Sequence, residues 1–202
     1  DFIFYMDSVS AVGQEGVIRE GQMDQASYPE AILADYKMLW LPLKDSMYIA
    51  NRNEPFQFYN STASLDGKAN ITAGGVYGSG EMLSRGSKSV SDEFHFSQFE
   101  YSGRHAEFEI LTDNPEKPAM KGDDIALEFD LVKNIAEVRP EEEGVAAIGF
   151  PYAQMKTSIT EATWYLDSAK ITMTKPEEVD IASSYFYTTR KELDSLAFNA
   201  TH

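Results

Sequence analysis

The sequence predicts an all-β chain, built as an antiparallel β-sandwich or jelly roll or as stacked open β-solenoid layers. Three observations carry this reading. Apolar and polar residues alternate with period two along most of the chain. Short strand patterns rich in aromatic and β-branched residues recur at close intervals, separated by turn residues. No helical segments lie between them, so the crossovers of a parallel sheet are missing.

FIFYMDSV opens the chain as the first strand pattern. SYPEAILADYKMLWLPL fits two periods. Ser27 could cap a helix carrying Ile32, Leu33, Tyr36, Leu39 and Trp40, yet Ile32, Ala34, Tyr36, Met38 and Trp40 alternate strictly. Its strand-like neighbours favour the second reading. QFYNSTASL and EFHFSQFEY follow. In HAEFEIL, Ala106, Phe108 and Ile110 oppose Glu107 and Glu109, and in DDIALEFDLV, Ile125, Leu127, Phe129 and Leu131 oppose Ala126, Glu128 and Asp130. One face of each strand is therefore dry and the other wet. GVAAIGF, ATWYLDSAKITM and SSYFYTTR complete the set, and LDGK, TDNPEKP, MKGDD and TKPEEVD read as turns. Pro115 and Pro118 mark an internal break, giving a β-rich segment over 1–118 and a second over 119–202, continuous with the first.

The glycines of ANITAGGVYGSGEML invite a phosphate-binding reading, but Gly75, Gly78 and Gly80 run G-x-x-G-x-G, the reverse of the dinucleotide fingerprint. No helical stripe follows them and no Gly-Lys-Ser/Thr appears. Glycines in a strand pattern mark bends, bulges or the close approach of another backbone, which is the reading adopted.

The chain has 202 residues, 43% of them hydrophobic, enough for a substantial core. Its net charge of −16 opposes contact with a nucleic-acid backbone, which needs clustered Lys and Arg. Cysteine is absent, which removes disulfides, thiolate nucleophiles and Cys-based zinc sites. No apolar run is long enough for a transmembrane helix.

His95, His105 and His202 fall in no metal-binding or catalytic spacing, and no G-x-S-x-G elbow is present. The pair Asp123 and Asp124 and the run Glu141, Glu142 and Glu143 read as solvated turns rather than catalytic carboxylates. Weak Ca²⁺ binding by such loops is the one cofactor expectation. No residue is assigned to catalysis and the chain is read as a non-enzyme. Trp40 and Trp164 are the candidates for an aromatic, glycan-stacking surface, although Trp164 shares parity with Ala162 and Leu166, which points it inward.

Asp-Ser followed by an apolar residue occurs four times, placing Ser8, Ser46, Ser168 and Ser195 in one pattern, against roughly one match expected by composition. Turn chemistry explains it. The pattern also resembles the acceptor motif of general O-glycosylation in exported proteins of the Bacteroidota. N-x-T at Asn60, Asn70 and Asn199 is read as coincidence.

Several segments, in order, resemble long β-rich cell-envelope proteins of the Bacteroidota: FYMDSVSAVGQEG, the stretch from ASYPEAIL to FQFYN, GGVYGSGEMLSRGSKSVSDEFHFS, VAAIGFPYAQMKTSITEATWYLDSAKITM and SYFYTTRKELDSLAFNAT. The shared pattern is F-P-x-x-Q before T-W-Y-x-D, here Phe150 to Gln154 and Thr163 to Asp167. A more distant likeness, in strand texture, is to the OstA-like jelly rolls of lipopolysaccharide transport. The resemblance implies export to the periplasm or surface of a Gram-negative cell and membership of a longer molecule. Short alternating strands bury one face only by stacking on neighbours, which gives the chain a non-enzymatic scaffold role, with other envelope proteins or adjacent segments of the same chain as partners. A glycan-binding β-sandwich and a lipid-conducting β-groove are the alternatives.

Overall fold

A computed structural model of the chain describes residues 2–5, 7–19, 27–142, 147–174, 184–188 and 197–200, the last two segments as backbone only. The fold is all-β and antiparallel, as the alternation predicts. Its strands are β1 (Phe2–Phe4), β2 (Val9–Ile18), β3 (Ala31–Leu41), β4 (Ser46–Asn51), β5 (Phe56–Phe58), β6 (Ala63–Thr72), β7 (Gly75–Ser84), β8 (Ser87–Phe96) and β9 (Glu100–Ile110). They continue as β10 (Met120–Asp130), β11 (Ile135–Pro140), β12 (Ile148–Phe150), β13 (Met155–Thr157), β14 (Glu161–Tyr165), β15 (Lys170–Thr174), β16 (Ser184–Thr188) and β17 (Ala197–Ala200). The ambiguous segment is strand β3, because pairing with β2 on one side and with β4 and β5 on the other satisfies its backbone.

The chain divides into two compact units, residues 1–85 with 90–102, and residues 86–89 with 103–202. In the first unit consecutive strands pair as a meander. β4 and β5 form one interrupted line between β3 and β6, and β6 pairs with β7 over its whole length. A two-residue turn with Arg85 and Gly86 at φ 51 and 80 leads into β8, the geometry favoured for tight hairpins.

Phe58 on β5 stacks on Phe96 of β8 with ring centroids 4.5 Å apart. Strands three places apart in a flat sheet would lie about 14 Å away, so the sheet curls over itself. Phe94, Phe96 and Tyr101 join this cluster, each 2% exposed or less. Tyr59 fastens it by donating its hydroxyl between the carbonyls of Glu100 (2.6 Å) and Ser97 (3.0 Å).

In the second unit β9 pairs with β10, β10 with β11 and β12, β11 with β14, β12 with β13, and β14 with β15. Phe108 of β9 meets Trp164 of β14 at 6.3 Å, and Phe129 of β10 closes the cluster edge-on. Here too an aromatic meets one three strands away. The β10 to β11 turn is closed by Asp130, whose Oδ1 accepts the backbone N–H groups of Val132 and Lys133. Lys133 also reaches its carboxylate at 2.7 Å, and these bonds hold the Asp130 carboxyl below the usual range.

Pro115 and Pro118 lie in the connection between the paired strands β9 and β10, inside the second unit. Two segments read as turns are corrected: LDGK lies within β6 and MKGDD within β10. The reason for the first is close packing of two backbones. Gly67 faces Gly80 across β6 and β7. A Cβ on Gly67 would meet the Ser79 carbonyl oxygen at 2.0 Å, and one on Gly80 would meet that of Asp66 at 2.2 Å. Within GGVYGSG, Gly80 therefore serves strand packing, Gly78 makes room for the Phe96 ring, and Gly74 lies in the turn ahead of β7.

Candidate functional site

Cross-strand partners point to the same face of a sheet, so the registers of the first unit sort its residues. One face carries the line Phe2, Ala11, Met38, Ile49, Ala69 and Gly78, and beside it Phe4, Val9, Trp40, Met47, Ile71 and Val76. Toward β6 and β7 this is core, with Ile49, Ala69 and Val76 at 4%, 1% and 1% exposure. Toward β1 the same apolar face lies open: Phe2 is 68% exposed, Phe4 75% and Trp40 42%. Trp40 is thus surface-accessible, as proposed for an aromatic surface, but it belongs to the uncovered end of the core. Trp164 is 7% exposed against Phe108 and Phe129, so its place in a binding surface is withdrawn and its inward reading stands.

The opposite face of the same strands carries a trough of about 640 Å³. One row across it reads Leu39, Tyr48, Asn70 and Tyr77; the next reads Lys37, Ala50, Lys68 and Ser79. From β4 to β7, large and small side chains alternate along and between the rows. Ala50, Asn70 and Ser79 form the floor while both tyrosines and both lysines form the walls. Asp92 of β8 stands at one side. Tyr48 and Tyr77 are 47% and 39% exposed, and the Tyr77 hydroxyl donates to the Gly74 carbonyl. Lys37 and Lys68 are exposed and make no ion pair among the described residues. Asn70 Oδ1 is shielded from solvent with no hydrogen-bond partner.

Other polar candidates are tied into the fold. Arg104 grips Glu141 through Nε and Nη2, both at 2.6 Å, and Glu141 Oε1 also accepts the His105 backbone N–H at 3.1 Å. Chiefly through the Arg104 hydrogen bonds, the Glu141 carboxyl is lowered to about 2. His105 pairs with Asp124 at 2.8 Å, and Asp123 with Lys121 at 3.5 Å. His95 lies on β8 against the ring of Tyr77. No cluster of three or more potential metal ligands occurs among the described residues.

Of the described Asp-Ser-apolar sites, Ser8 and Ser168 lie in turns and Ser46 opens β4. The Ser8 carbonyl accepts the Tyr5 N–H between β1 and β2, Ser46 Oγ donates to the Lys44 carbonyl ahead of β4, and Ser168 lies exposed between β14 and β15. Ser195, His202 and Glu143 lie outside the described residues, as does the side chain of Asn199.

The trough was legible in principle. Tyr48, Lys68, Asn70 and Tyr77 alternate with the apolar Ile49, Ala69 and Val76. The register of β4, β6 and β7, which brings them together, is not written in any one strand. No helix among the described residues is long and apolar enough to cross a membrane. No protein-family model matches the chain, and no curated protein is similar to it.

Proposed function

We propose that the chain is a non-enzymatic structural segment of an exported cell-envelope protein, which joins neighbouring β-segments through the open end of its first unit. The observation that carries this is the uncovered core face at β1, where Phe2, Phe4 and Trp40 continue a face that is otherwise buried. Large apolar side chains left contiguous and exposed mark an interaction surface. Among the described strands β2 pairs only with β1 and β3, and β1 covers three of its residues, which leaves backbone donors and acceptors for another strand. The occupant that satisfies both needs is a β-segment of the same or a neighbouring envelope protein. The likeness of F-P-x-x-Q and T-W-Y-x-D to long envelope proteins supports export to the periplasm or cell surface.

Light scattering with Trp40 fluorescence tests the reading. Association with rising concentration should shift Trp40 emission to the blue, and Phe2→Asp with Phe4→Asp should leave a folded monomer. A chain that stays monomeric at high concentration, with β2 amides exchanging freely, would overturn it. Fractionation of native cells tests the compartment, and recovery in the cytoplasm would refute export.

A further inference from the structure

We propose that the trough across β3, β4, β6 and β7 binds an acidic saccharide whose carboxylates pair with Lys37 and Lys68. It stands apart from the edge-pairing reading, because the trough lies on the other face of the sheet.

The argument begins with charge. In a chain of net charge −16, two exposed lysines flank one small residue, Ala50, and neither has a counter-charge among the described residues. Two strand spacings separate their backbones, about 10 Å. Carboxylates on a short acidic glycan can meet both at once. The free chain leaves these cations solvated, so a carboxylate ligand gains attraction without breaking an existing pair.

Shape and polar chemistry narrow the class. A volume of about 640 Å³ lies within the usual range for small-molecule sites, which place a few polar groups among apolar and aromatic walls. Tyr48 and Tyr77 offer half-exposed rings on either side of Asn70, suited to the C–H faces of sugar rings. Asn70 makes no side-chain hydrogen bond among the described residues, so its amide can turn to a sugar hydroxyl without losing one. The exposed Asp92 accepts a hydroxyl at the rim and repels a further anion, which favours a ligand of alternating neutral and acidic parts over a uniform polyanion. An extended peptide would compete for a sheet edge, where backbone groups are free, rather than for a face.

The test is calorimetric titration of the full chain at low salt with hexagalacturonate and with a glucuronate-containing hexasaccharide. Cellohexaose and hexaglutamate serve as comparisons. At least one acidic oligosaccharide should bind and weaken as salt rises. Lys37→Gln with Lys68→Gln should reduce the affinity by about tenfold or more, and Tyr48→Ala should reduce it also, while circular dichroism confirms the fold. Failure of both acidic oligosaccharides to bind, or binding unchanged in the lysine double variant, would overturn the proposal. Equal affinity for cellohexaose would remove the carboxylate requirement, and equal affinity for hexaglutamate would remove the saccharide assignment; either result overturns it.

Discussion

Replacing Glu141 by Gln tests the polar clamp of the second unit. The carboxylate accepts two hydrogen bonds from Arg104 and one from the His105 backbone, and its own N–H donates to the Asp124 carbonyl. Both His105 and Asp124 hold positive φ, 47 and 54, so the clamp braces backbone that L-residues seldom adopt. A carboxyl lowered from 4.5 to about 2 corresponds to about 3 kcal/mol, at about 1.4 kcal/mol per pH unit. Arg104 is 59% exposed although Glu141 is only 8% exposed, and solvent screening brings the expected loss to about 2 kcal/mol. The folded carboxyl releases its proton more readily than the unfolded one. The stabilisation is therefore complete above pH 4.5 and lost as pH falls through about 2. Urea unfolding followed by Trp164 fluorescence, in a Trp40→Phe background, reports this unit. Wild type and Glu141→Gln should differ by about 2 kcal/mol at neutral pH and converge toward about pH 2. A gap that stays constant down to about pH 3 would refute the electrostatic account and assign the loss to packing.

Gly80→Ala would drive a Cβ into the Asp66 carbonyl, and should cost about 3 kcal/mol or more in urea unfolding of the first unit, or leave the protein insoluble. Trp164→Ala removes the ring that meets both Phe108 and Phe129, with an expected loss of about 3–5 kcal/mol by the same assay, read by circular dichroism. Tyr59→Phe strips a donor from the Ser97 and Glu100 carbonyls and should cost about 1–2 kcal/mol. Burial pushes the phenols of Tyr59 and Tyr101 well above their ordinary value of 10. Absorbance titration at about pH 11 should therefore find the Tyr59 and Tyr101 phenols still protonated until the chain unfolds.

The fold class was legible because alternation survives in single strands: Ile125, Leu127 and Phe129 are buried as the pattern requires. Hairpin tips were less so. FIFYMDSV, QFYNSTASL, EFHFSQFEY and ATWYLDSAKITM each read as one strand, yet each holds a turn between two. Tyr59, Asn60 and Ser61 show why. All three take positive φ, although neither Gly nor Pro marks the turn, and the Thr62 N–H and hydroxyl both bond to the Tyr59 carbonyl to close it. The reverse error occurred at LDGK, where Asp and Gly suggest a turn but Gly67 serves close contact with β7. The Gly- and Ser-rich run through β6, β7 and β8 is strand despite low intrinsic preference, with Ser84 and Ser91 buried where bulkier residues usually sit. The open apolar end and the trough depend on register between strands, which no single segment encodes.

The two units close by the same device. Phe58 meets Phe96, and Phe108 meets Trp164, each pair spanning three strand places. A large aromatic on a strand and another three places on pulls a meander into a curl and buries the face between them. Such a curl dries only the strands it spans. β1 lies beyond the reach of the Phe58 and Phe96 contact, and the core face it carries is wet, with Phe4 at 75% exposure. Burying Phe2, Phe4 and Trp40 requires apolar side chains from outside the described strands, while hydrogen bonding along β2 requires a backbone in register with it. A further β-segment supplies both at once, whereas a small ligand supplies only the first. That distinction separates the two faces of the first unit. Among the described strands nothing covers the face at β1, and the proposed occupant there is a β-segment of a protein. The trough lies on strands that are all paired, with Lys37 and Lys68 unpaired among the described residues, and its proposed occupant is a ligand that lies on a sheet without extending it.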